Sequence, residues 1–269
     1  MCDALAEQVG TSPYKTDSAT WVDAPVLECR TCDIYFRVLD DNTRKQHFRS
    51  ASYVQLDRER AIWNERHGFL SYILDLTEHR LGKSGAKLLD IGCSYGHFLE
   101  LAVKNGFHSE GVEINQDLVA YCLRRGLVVW TSIESASQPV DAITLIDSLY
   151  YVPRPVEFMR ELGRALSPAG VVVLRVTNRN WLIQAKAAML GIYDFRLLGD
   201  AEISYSVHGI CRLLRRAGLV TTDILPDSGR GKCMKLKQRL IYASTCAATN
   251  MTLRSLYVSP GVIVIARPS

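Results

Sequence analysis

The sequence lacks the features of a membrane-spanning or disulfide-stabilised chain. It contains no run of about 18 apolar residues, the length needed to cross a bilayer. The first residues, MCDALAEQVG, have no apolar segment flanked by basic residues, so we expect no secretory signal. The eight cysteines show no spacing typical of a disulfide framework. We therefore expect a cytoplasmic chain with free thiols.

The sequence also lacks a large excess of either positive or negative residues. The 32 Lys and Arg residues against 28 Asp and Glu residues give a net charge of +4, which does not demand nucleic acid or an anionic membrane as a partner. Hydrophobic residues make up 48% of the 269 residues and charged residues 22%, an ordinary balance for a globular chain with a sizeable core.

The chain does contain short apolar runs that alternate with helical patterns. The predicted strands are "AKLLDIG", "SEGVEI", "LVVW", "DAITLI", "VVVLRV", "LVTTDIL" and "GVIVIAR". The segment "NQDLVAYCLRRG" predicts a helix with Asn115 as its N-cap. This alternation predicts an α/β fold, a Rossmann-like, doubly wound, mostly parallel seven-stranded sheet with helices on both faces.

The segments outside this alternation indicate how the chain divides into an N-terminal extension, a core and insertions. Residues 1 to about 50 show little periodicity, whereas apolar residues from 55 to 81 recur at helical spacing and predict one helix, or two broken near Gly68. We expect an N-terminal extension over 1–84 that includes a helical lid. The core then covers 85–269, with insertions at 178–205 and 226–260.

One stretch, "LLDIGCSYGHFLELA", places an acid and two glycines between a predicted strand and a helix. Glycine lets the backbone turn sharply and lets a ligand lie against it, and the N–H groups at the start of the helix suit a carboxylate. A second acid, Glu113, ends the next strand, where a carboxylate accepts hydrogen bonds from ribose hydroxyls. These features predict a nucleoside-containing ligand.

The spacing of Asp90, Gly92 and Gly96 resembles motif I of class I S-adenosylmethionine-dependent methyltransferases. The segment from "VDAITLIDSLYY" to "VVVLRVTN" resembles the fourth-strand to fifth-strand portion of the bacterial small-molecule branch, with the "SPAG" turn and Asn178 in agreement. The likeness covers about residues 87–225. It implies S-adenosylmethionine as cofactor and S-adenosylhomocysteine as product.

The resemblance also implies roles for individual residues. The loop for the methionine part would consist of Asp90, Gly92, Ser94 and Gly96, and Glu113 would bind the ribose. Contacts to adenine would come from Ile114, Ser132 and Ile133, although relatives often carry an acid at the position of Ser132. Asp147 and Ser148 would face the sulfonium.

The expected catalytic residues are less well defined. A Glu-His pair that is common in relatives is replaced by Tyr150 and Tyr151. Because a phenol with a pKa near 10 is a poor unaided base, these tyrosines either orient an acceptor hydroxyl or wall the pocket. His208 is either a general base, or an N-cap of the following helix or otherwise structural. A base is not essential, since positioning against an activated sulfonium supplies much of the rate.

Two further patterns leave alternatives open. Cys29 and Cys32 resemble the second knuckle of a small zinc ribbon found in some sugar-modifying bacterial relatives. Since only Cys2 lies upstream, we expect no metal and a packed turn. A basic stretch either lines an entrance for a phosphorylated or carboxylated substrate or is a solvated face; its members are Arg230, Lys232, Lys235, Lys237 and Arg239.

The sequence therefore predicts a methyltransferase that acts on oxygen or nitrogen of a small molecule such as a sugar, a glycolipid or a secondary metabolite. A catalytically silent cofactor-binding subunit is the alternative from another class. A nucleic-acid or protein methyltransferase is disfavoured by "DSLYYVP", and a nicotinamide oxidoreductase by the loop spacing. The expected partner is a small-molecule acceptor, with no nucleic acid and no membrane span. A homodimer is one option for the assembly.

Overall fold

The computed structural model of the chain describes residues 6–16, 20–49, 56–252 and 256–269. The strands within these residues are β1 (Glu7–Lys15), β2 (Trp21–Cys29), β3 (Ile34–Arg37), β4 (Lys87–Ile91), β5 (His108–Val112), β6 (Val129–Trp130), β7 (Val140–Ile146), β8 (Leu166–Thr177), β9 (Ile203–Tyr205), β10 (Leu219–Pro226) and β11 (Gly261–Pro268). The α-helices are α1 (Asp41–Arg49), α2 (Glu59–Leu81), α3 (His97–Lys104), α4 (Gln116–Arg124), α5 (Pro155–Ala165), α6 (Asn180–Leu190), α7 (Val207–Arg216) and α8 (Leu236–Met251).

The main sheet has seven strands in the order β10-β11-β8-β7-β4-β5-β6. Neighbouring strands from β8 to β6 are parallel, while β11 is antiparallel to both β8 and β10. This arrangement confirms the predicted doubly wound, mostly parallel sheet. The chain order reverses direction between β4 and β7, and a ligand crevice opens at the carboxyl ends of strands at such a point.

Apolar side chains fill both faces of this sheet. On one face Leu89, Leu145 and Met159 are fully buried in a cluster that also includes residues of α5 and α7. On the other face Ile73 and Leu88 pack in a cluster built largely from α2 and α3. Strands covered on both faces carry near-continuous apolar residues, which is why the strand pattern could be recognised.

A second sheet has four strands in the order β1-β2-β3-β9. The described part of residues 1–50, in which the sequence shows little periodicity, therefore forms regular strands and helix α1. The strand β9 lies in the segment 178–205, and Phe36 of β3 pairs with Ile203 of β9. The N-terminal extension and this insertion thus form one layer, which local periodicity could not reveal because the pairing joins residues far apart in sequence.

The C-x-x-C pair lies at the turn between β2 and β3. Cys29 is buried at the end of β2, and Cys32 is partly exposed in the turn, as the packed-turn interpretation expects. No group of three or more potential metal ligands occurs among the described residues. Cys2 lies outside them.

Helix α2 runs without a break through Gly68. A Cβ atom at this position would lie 2.6 Å from the carbonyl oxygen of Gly231. Gly68 therefore permits close approach of the loop after β10 and does not end the helix. The "SPAG" residues lie within β8 and not in a turn between elements, and β6 is shorter than the predicted "LVVW" strand. Within the described ranges no helix combines the length and apolar character needed to cross a membrane.

The packing predicts different costs for two leucine truncations. Leu145 is fully buried in the central strand β7, so Leu145→Ala is expected to lower the free energy of unfolding by about 2–5 kcal/mol. Leu123 in α4 is 53% exposed, and Leu123→Ala is expected to change it by less than about 0.5 kcal/mol. Urea denaturation measures both values; equal effects would contradict this assignment of the core.

Candidate functional site

The glycine loop between β4 and α3 has a left-handed backbone at three positions. Gly92, Ser94 and Gly96 have φ of 75°, 51° and 73°. A Cβ atom at residue 92 would lie 2.8 Å from the Cβ atom of Ser148. Glycine is therefore required at residue 92 by both conformation and space. The backbone N–H of Gly92 donates to Val112 O at 2.8 Å, which ties the loop to the end of β5.

Gly96 serves a packing role at the start of α3. A Cβ atom there would lie 2.3 Å from Leu127 Cδ1 and 3.1 Å from Cys122 Sγ. A larger residue would require the Leu127 and Cys122 side chains to shift and would strain the left-handed backbone at this position. The second glycine of the motif thus allows the close contact between the start of α3 and these two side chains.

Glu113 lies directly after β5 and is only 2% exposed. Its Oε2 accepts a hydrogen bond from Ser94 N at 3.0 Å, and its Oε1 accepts one from Asn115 N at 2.9 Å. Burial raises the pKa of Glu113, and the backbone donors oppose that shift. Each carboxylate oxygen has a second lone pair, so the group retains acceptor capacity for a ligand hydroxyl.

Asp90, within β4, is the other acid of the motif. It is 4% exposed, and its Oδ1 accepts a hydrogen bond from Thr144 Oγ1 at 2.6 Å. Burial raises the pKa of Asp90 to about 7, while the Thr144 hydrogen bond and the Arg66 charge oppose the shift. Its protonation state is therefore sensitive to any charge that is brought close to it near neutral pH.

Asp90, Gly92 and Ser94 line a cavity of about 210 Å³ at the reversal point of the sheet, whereas Gly96 and Glu113 are not among the described residues that line it. Its lining joins the glycine loop to one face of α2 and comprises Ile62, Arg66, Leu70, Asp90, Gly92, Cys93, Ser94, Tyr95, His97, Phe98 and Ile146. We call it the loop cavity. It lies where an open α/β sheet binds its ligand, at the carboxyl ends of β4 and β7.

The three residues predicted to contact adenine do not lie together in one cavity. Ile114 is 59% exposed and lines a separate cavity of about 420 Å³ beside Phe48 and Tyr151. Ile133 is buried in the core, and Ser132 Oγ lies 3.1 Å from Ser135 Oγ in a short turn. Neither Ser132 nor Ile133 is among the described residues that line the cavity beside Ile114.

Asp147 and Ser148 follow Ile146, the last residue of β7, which lines the loop cavity; neither of the two is among the described residues that line it. Asp147 has a φ of 63°, and its carboxylate accepts hydrogen bonds from Arg175 and from Arg66, the latter at 3.2 Å. Ser148 Oγ is buried and has no hydrogen-bond partner among the described residues. An unsatisfied buried hydroxyl is costly, and a polar ligand would satisfy it.

Arg175 of β8 connects Asp147 to a second carboxylate. Its Nη2 lies 2.8 Å from Asp227 Oδ2, and Lys232 Nζ lies 2.5 Å from the same oxygen. Burial would raise the pKa of Asp227, but Arg175 and Lys232 hold it below its ordinary value. Sequence reasoning missed Arg175 and Asp227, and it recognised Lys232 only as one member of a basic stretch.

Helix α2 contributes the charged face that sequence reasoning also missed. Glu59 Oε1 lies 2.5 Å from His97 Nε2, and Ile62 and Arg66 line the loop cavity. Burial lowers the pKa of His97, and the bond to Glu59 opposes that shift. Residues 59, 62, 66 and 69 share one face of a helix. The spacing of these residues along the sequence could have revealed that they share this face.

The expected catalytic residues are not gathered in the loop cavity. Tyr151 donates a hydrogen bond to Asp200 Oδ2 at 2.7 Å, and burial raises the pKa of Tyr150 well above its ordinary value. His208 is exposed in the first turn of α7. Its suggested role as N-cap is wrong, because Ser206 is the N-cap and accepts a hydrogen bond from Gly209 N at 2.9 Å.

Curated relatives match part of the chain. A ubiquinone biosynthesis O-methyltransferase of Xanthomonas oryzae pv. oryzae (strain PXO99A) is 29% identical over 136 residues, which cover 46% of this chain and 57% of that protein. A protein of the same name from Xylella fastidiosa (strain M23) is 26% identical over 166 residues, or 56% of this chain and 68% of the relative. The chain thus matches little more than half the length of the first of these relatives.

Solved structures share the fold. An S-adenosylmethionine-dependent methyltransferase from Clostridium acetobutylicum ATCC 824 superimposes with a TM-score of 0.51 and 12% identity, over 79% of this chain and 96% of that one. Geranyl diphosphate C-methyltransferase from Streptomyces coelicolor A3(2), in complex with S-adenosyl-L-homocysteine, gives a TM-score of 0.52 and 17% identity, over 80% and 85%.

A family model described as "Methyltransferase domain" matches residues 62–224, more than half of the chain. The matched segment begins within α2 and ends within β10, so it contains the glycine loop, Glu113 and Asp147. The chain therefore belongs to the methyltransferase domain family.

Proposed function

We propose that the chain transfers a methyl group from S-adenosylmethionine to an oxygen atom of a small-molecule acceptor. The observation that carries the proposal is the loop cavity, with Asp90 and Glu113 at its glycine loop. A second cavity, distinct from the one beside Ile114, shares Arg66 with the loop cavity. The choice of oxygen over nitrogen rests on the O-methyltransferase relatives. The cytoplasmic location and the option of a homodimer stay predictions.

The residues of the loop cavity, together with Ser148 and Glu113 next to its glycine loop, fit the proposed cofactor. The unsatisfied Ser148 hydroxyl and the remaining acceptor capacity of Glu113 suit a polar nucleoside. We assign the methionine part to Asp90, Gly92, Ser94 and Gly96, and the ribose to Glu113. Adenine is assigned to Ile114 and the sulfonium end to Asp147 and Ser148. Ser132 and Ile133 are left out of this assignment, because neither is among the described residues that line the cavity beside Ile114 and Ile133 is buried in the core. When bound, this cofactor supplies a methyl group that is already activated on a sulfonium.

The second cavity is the proposed acceptor site. It has a volume of about 260 Å³ and shares Arg66 with the loop cavity. Its lining comprises Glu65, Arg66, Phe69, Asp147, Lys232, Cys233, Met234, Gln238 and Tyr242. We call it the acceptor cavity. Residues 85–269 would then form the catalytic core, with the acceptor wall drawn from α2 of the N-terminal extension and from the insertion 226–260.

The assignment of Glu113 predicts a loss of cofactor affinity. Glu113→Gln removes a charged acceptor, and hydrogen bonds to charged groups contribute roughly 1.5–3 kcal/mol, so S-adenosylhomocysteine should bind about 10- to 100-fold more weakly. Calorimetric titration measures the affinity. The control is Glu134→Gln, whose side chain is exposed. Equal affinities of both variants and the native chain would remove Glu113 from the site.

The raised pKa of Asp90 predicts that the binding of S-adenosylhomocysteine releases a proton from this carboxyl group. Between pH 4 and 7 the native state keeps a proton that the unfolded chain has lost, so the stability of the ligand-free protein should fall over that range. A cationic ligand group beside Asp90 favours the carboxylate, so affinity should rise as the pH increases through about 7.

Calorimetry at pH 7 in buffers of different ionisation enthalpy measures the released proton. Because Glu113 and His97 also have shifted pKa values, the variant Asp90→Asn isolates the share of Asp90. Proton release that persists unchanged in this variant would contradict the assignment.

The hydrogen bond from Tyr151 to Asp200 predicts that Tyr151 is not the base. A general base contributes typically 10²- to 10⁴-fold, whereas Tyr151→Phe should lower kcat/KM by less than about tenfold. The measurement is S-adenosylhomocysteine release with the best acceptor from a panel of phenols, sugars and amines. His208→Ala is the parallel variant. A hundredfold loss in either one would identify that residue as catalytic.

A further inference from the structure

The Lys232 ammonium forms part of the wall of the acceptor cavity. Its Nζ lies 4.4 Å from the ring centroid of Phe69 and 5.1 Å from that of Tyr242. Its side chain is 18% exposed, so it is accessible from the cavity. An ammonium carries three N–H donors, and Asp227 takes one of them. A cation therefore lies close to two aromatic rings and lines the same small space.

Arg66 brings a second cation to the junction of the two cavities. Its Nη2 lies 3.2 Å from Asp147 Oδ2, and the side chain is 39% exposed. Because Arg66 lines both the loop cavity and the acceptor cavity, a group bound near it lies next to the proposed cofactor.

The carboxylates of this cluster are already engaged. Asp147 accepts from Arg66 and Arg175, and Asp227 accepts from Arg175, Lys232 and the backbone N–H of Gly229. Among these described side chains three cations face two carboxylates, which leaves one positive charge in excess. Glu65 at the rim is exposed, where water and salt screen its charge. No histidine lies among the described residues that line the acceptor cavity.

We propose that Lys232 and Arg66 bind the acceptor as an oxyanion, so that the acceptor is a phenol or an enol and not an ordinary alcohol. This inference rests on the proposed function and names the substrate class of the acceptor cavity. The hydroxyl proton leaves to solvent, and the charge stays on the oxygen beside the two cations. Methyl transfer to that oxygen converts an oxyanion and a sulfonium into a neutral ether and a neutral thioether.

The size of the expected pKa shift separates phenols from ordinary alcohols. An opposite charge within about 4–6 Å lowers a pKa by roughly 1–3 units. For a phenol with a pKa of about 10 this gives an ionised acceptor close to neutral pH. For a hydroxyl as weakly acidic as that of water, about 15.7, it leaves the group protonated. The rings of Phe69 and Tyr242 also provide apolar contact for an aromatic acceptor.

The charge state of Lys232 limits the preference of the acceptor cavity for an oxyanion at high pH. Burial and the Arg175 charge lower the pKa of Lys232, and its partner Asp227 opposes them. Asp147 also raises the pKa of Lys232, and Glu65, Arg66, Gln238 and Tyr242 line the same cavity. Above the pKa of Lys232 the ammonium is lost, and the preference for the oxyanion should weaken.

The test uses 4-nitrophenol, whose phenolate absorbs visible light and so reports its own ionisation without turnover. The probe is titrated from low to high pH in the presence and absence of the full chain saturated with S-adenosylhomocysteine. The bound probe should ionise at a pH about 1–3 units below that of the free probe. Lys232→Met should abolish most of this shift, whereas Lys232→Arg, which retains the charge, should preserve it.

Lys237→Met is the matched control, since Lys237 is exposed in α8 of the same basic stretch. Arg66→Met provides a second variant that leaves the Lys232–Asp227 pair in place. A bound probe that ionises at the same pH as the free probe, or at a higher pH, overturns the inference. So does an unchanged shift in Lys232→Met, or a failure of the probe to bind.

The inference and the proposed function fail separately. Methyl transfer to sugar hydroxyls or amines, as fast as to phenols, overturns the oxyanion inference and leaves the methyltransferase proposal standing. Absence of S-adenosylhomocysteine binding refutes the proposed function, while the absorbance titration of the ligand-free chain still measures the ionisation of the probe.

Discussion

The site depends on one buried guanidinium. Arg175 is 7% exposed and lies between Asp147, at the end of β7, and Asp227, just after β10. Removing a charge from water costs several kcal/mol, and only well-placed partners offset that cost. Arg175 therefore fixes both carboxylates. Asp147 in turn holds Arg66 at the junction of the two cavities, and Asp227 holds the loop that carries Lys232.

The N-terminal extension takes part in the site and does not simply precede it. The face of α2 that begins at Glu59 reaches the glycine loop through His97 and the acceptor cavity through Arg66. Close approach at Gly68 lets the loop around Gly231 pack directly on this helix. The small sheet adds a second link, because β9 from the insertion completes it beside β3.

Much of the fold and part of the site could be predicted because their signals are local. The strand runs are short, apolar and bounded by turn residues, and Asn115 is the N-cap of α4 as its pattern predicts. Gly92 and Ser94 have the left-handed backbone that a tight loop requires, and Glu113 bonds to that loop. The N-cap role of His208 was wrong because Ser206, two residues earlier, supplies the oxygen that the helix N-terminus needs.

The sequence by itself determined the strands of the main sheet and their order along the chain, the glycine loop and the two acids beside it, since each depends on neighbours within a few residues or on a fixed spacing. Only the tertiary structure decided which charged groups meet. The Asp147–Arg175–Asp227–Lys232 cluster joins three segments, since Asp227 and Lys232 lie in the same loop, and the pairing of β3 with β9 joins residues more than 160 positions apart. Burial makes such contacts mandatory once the chain is folded, because an isolated charge or an unpaired strand edge is costly, but local sequence carries no record of the partner.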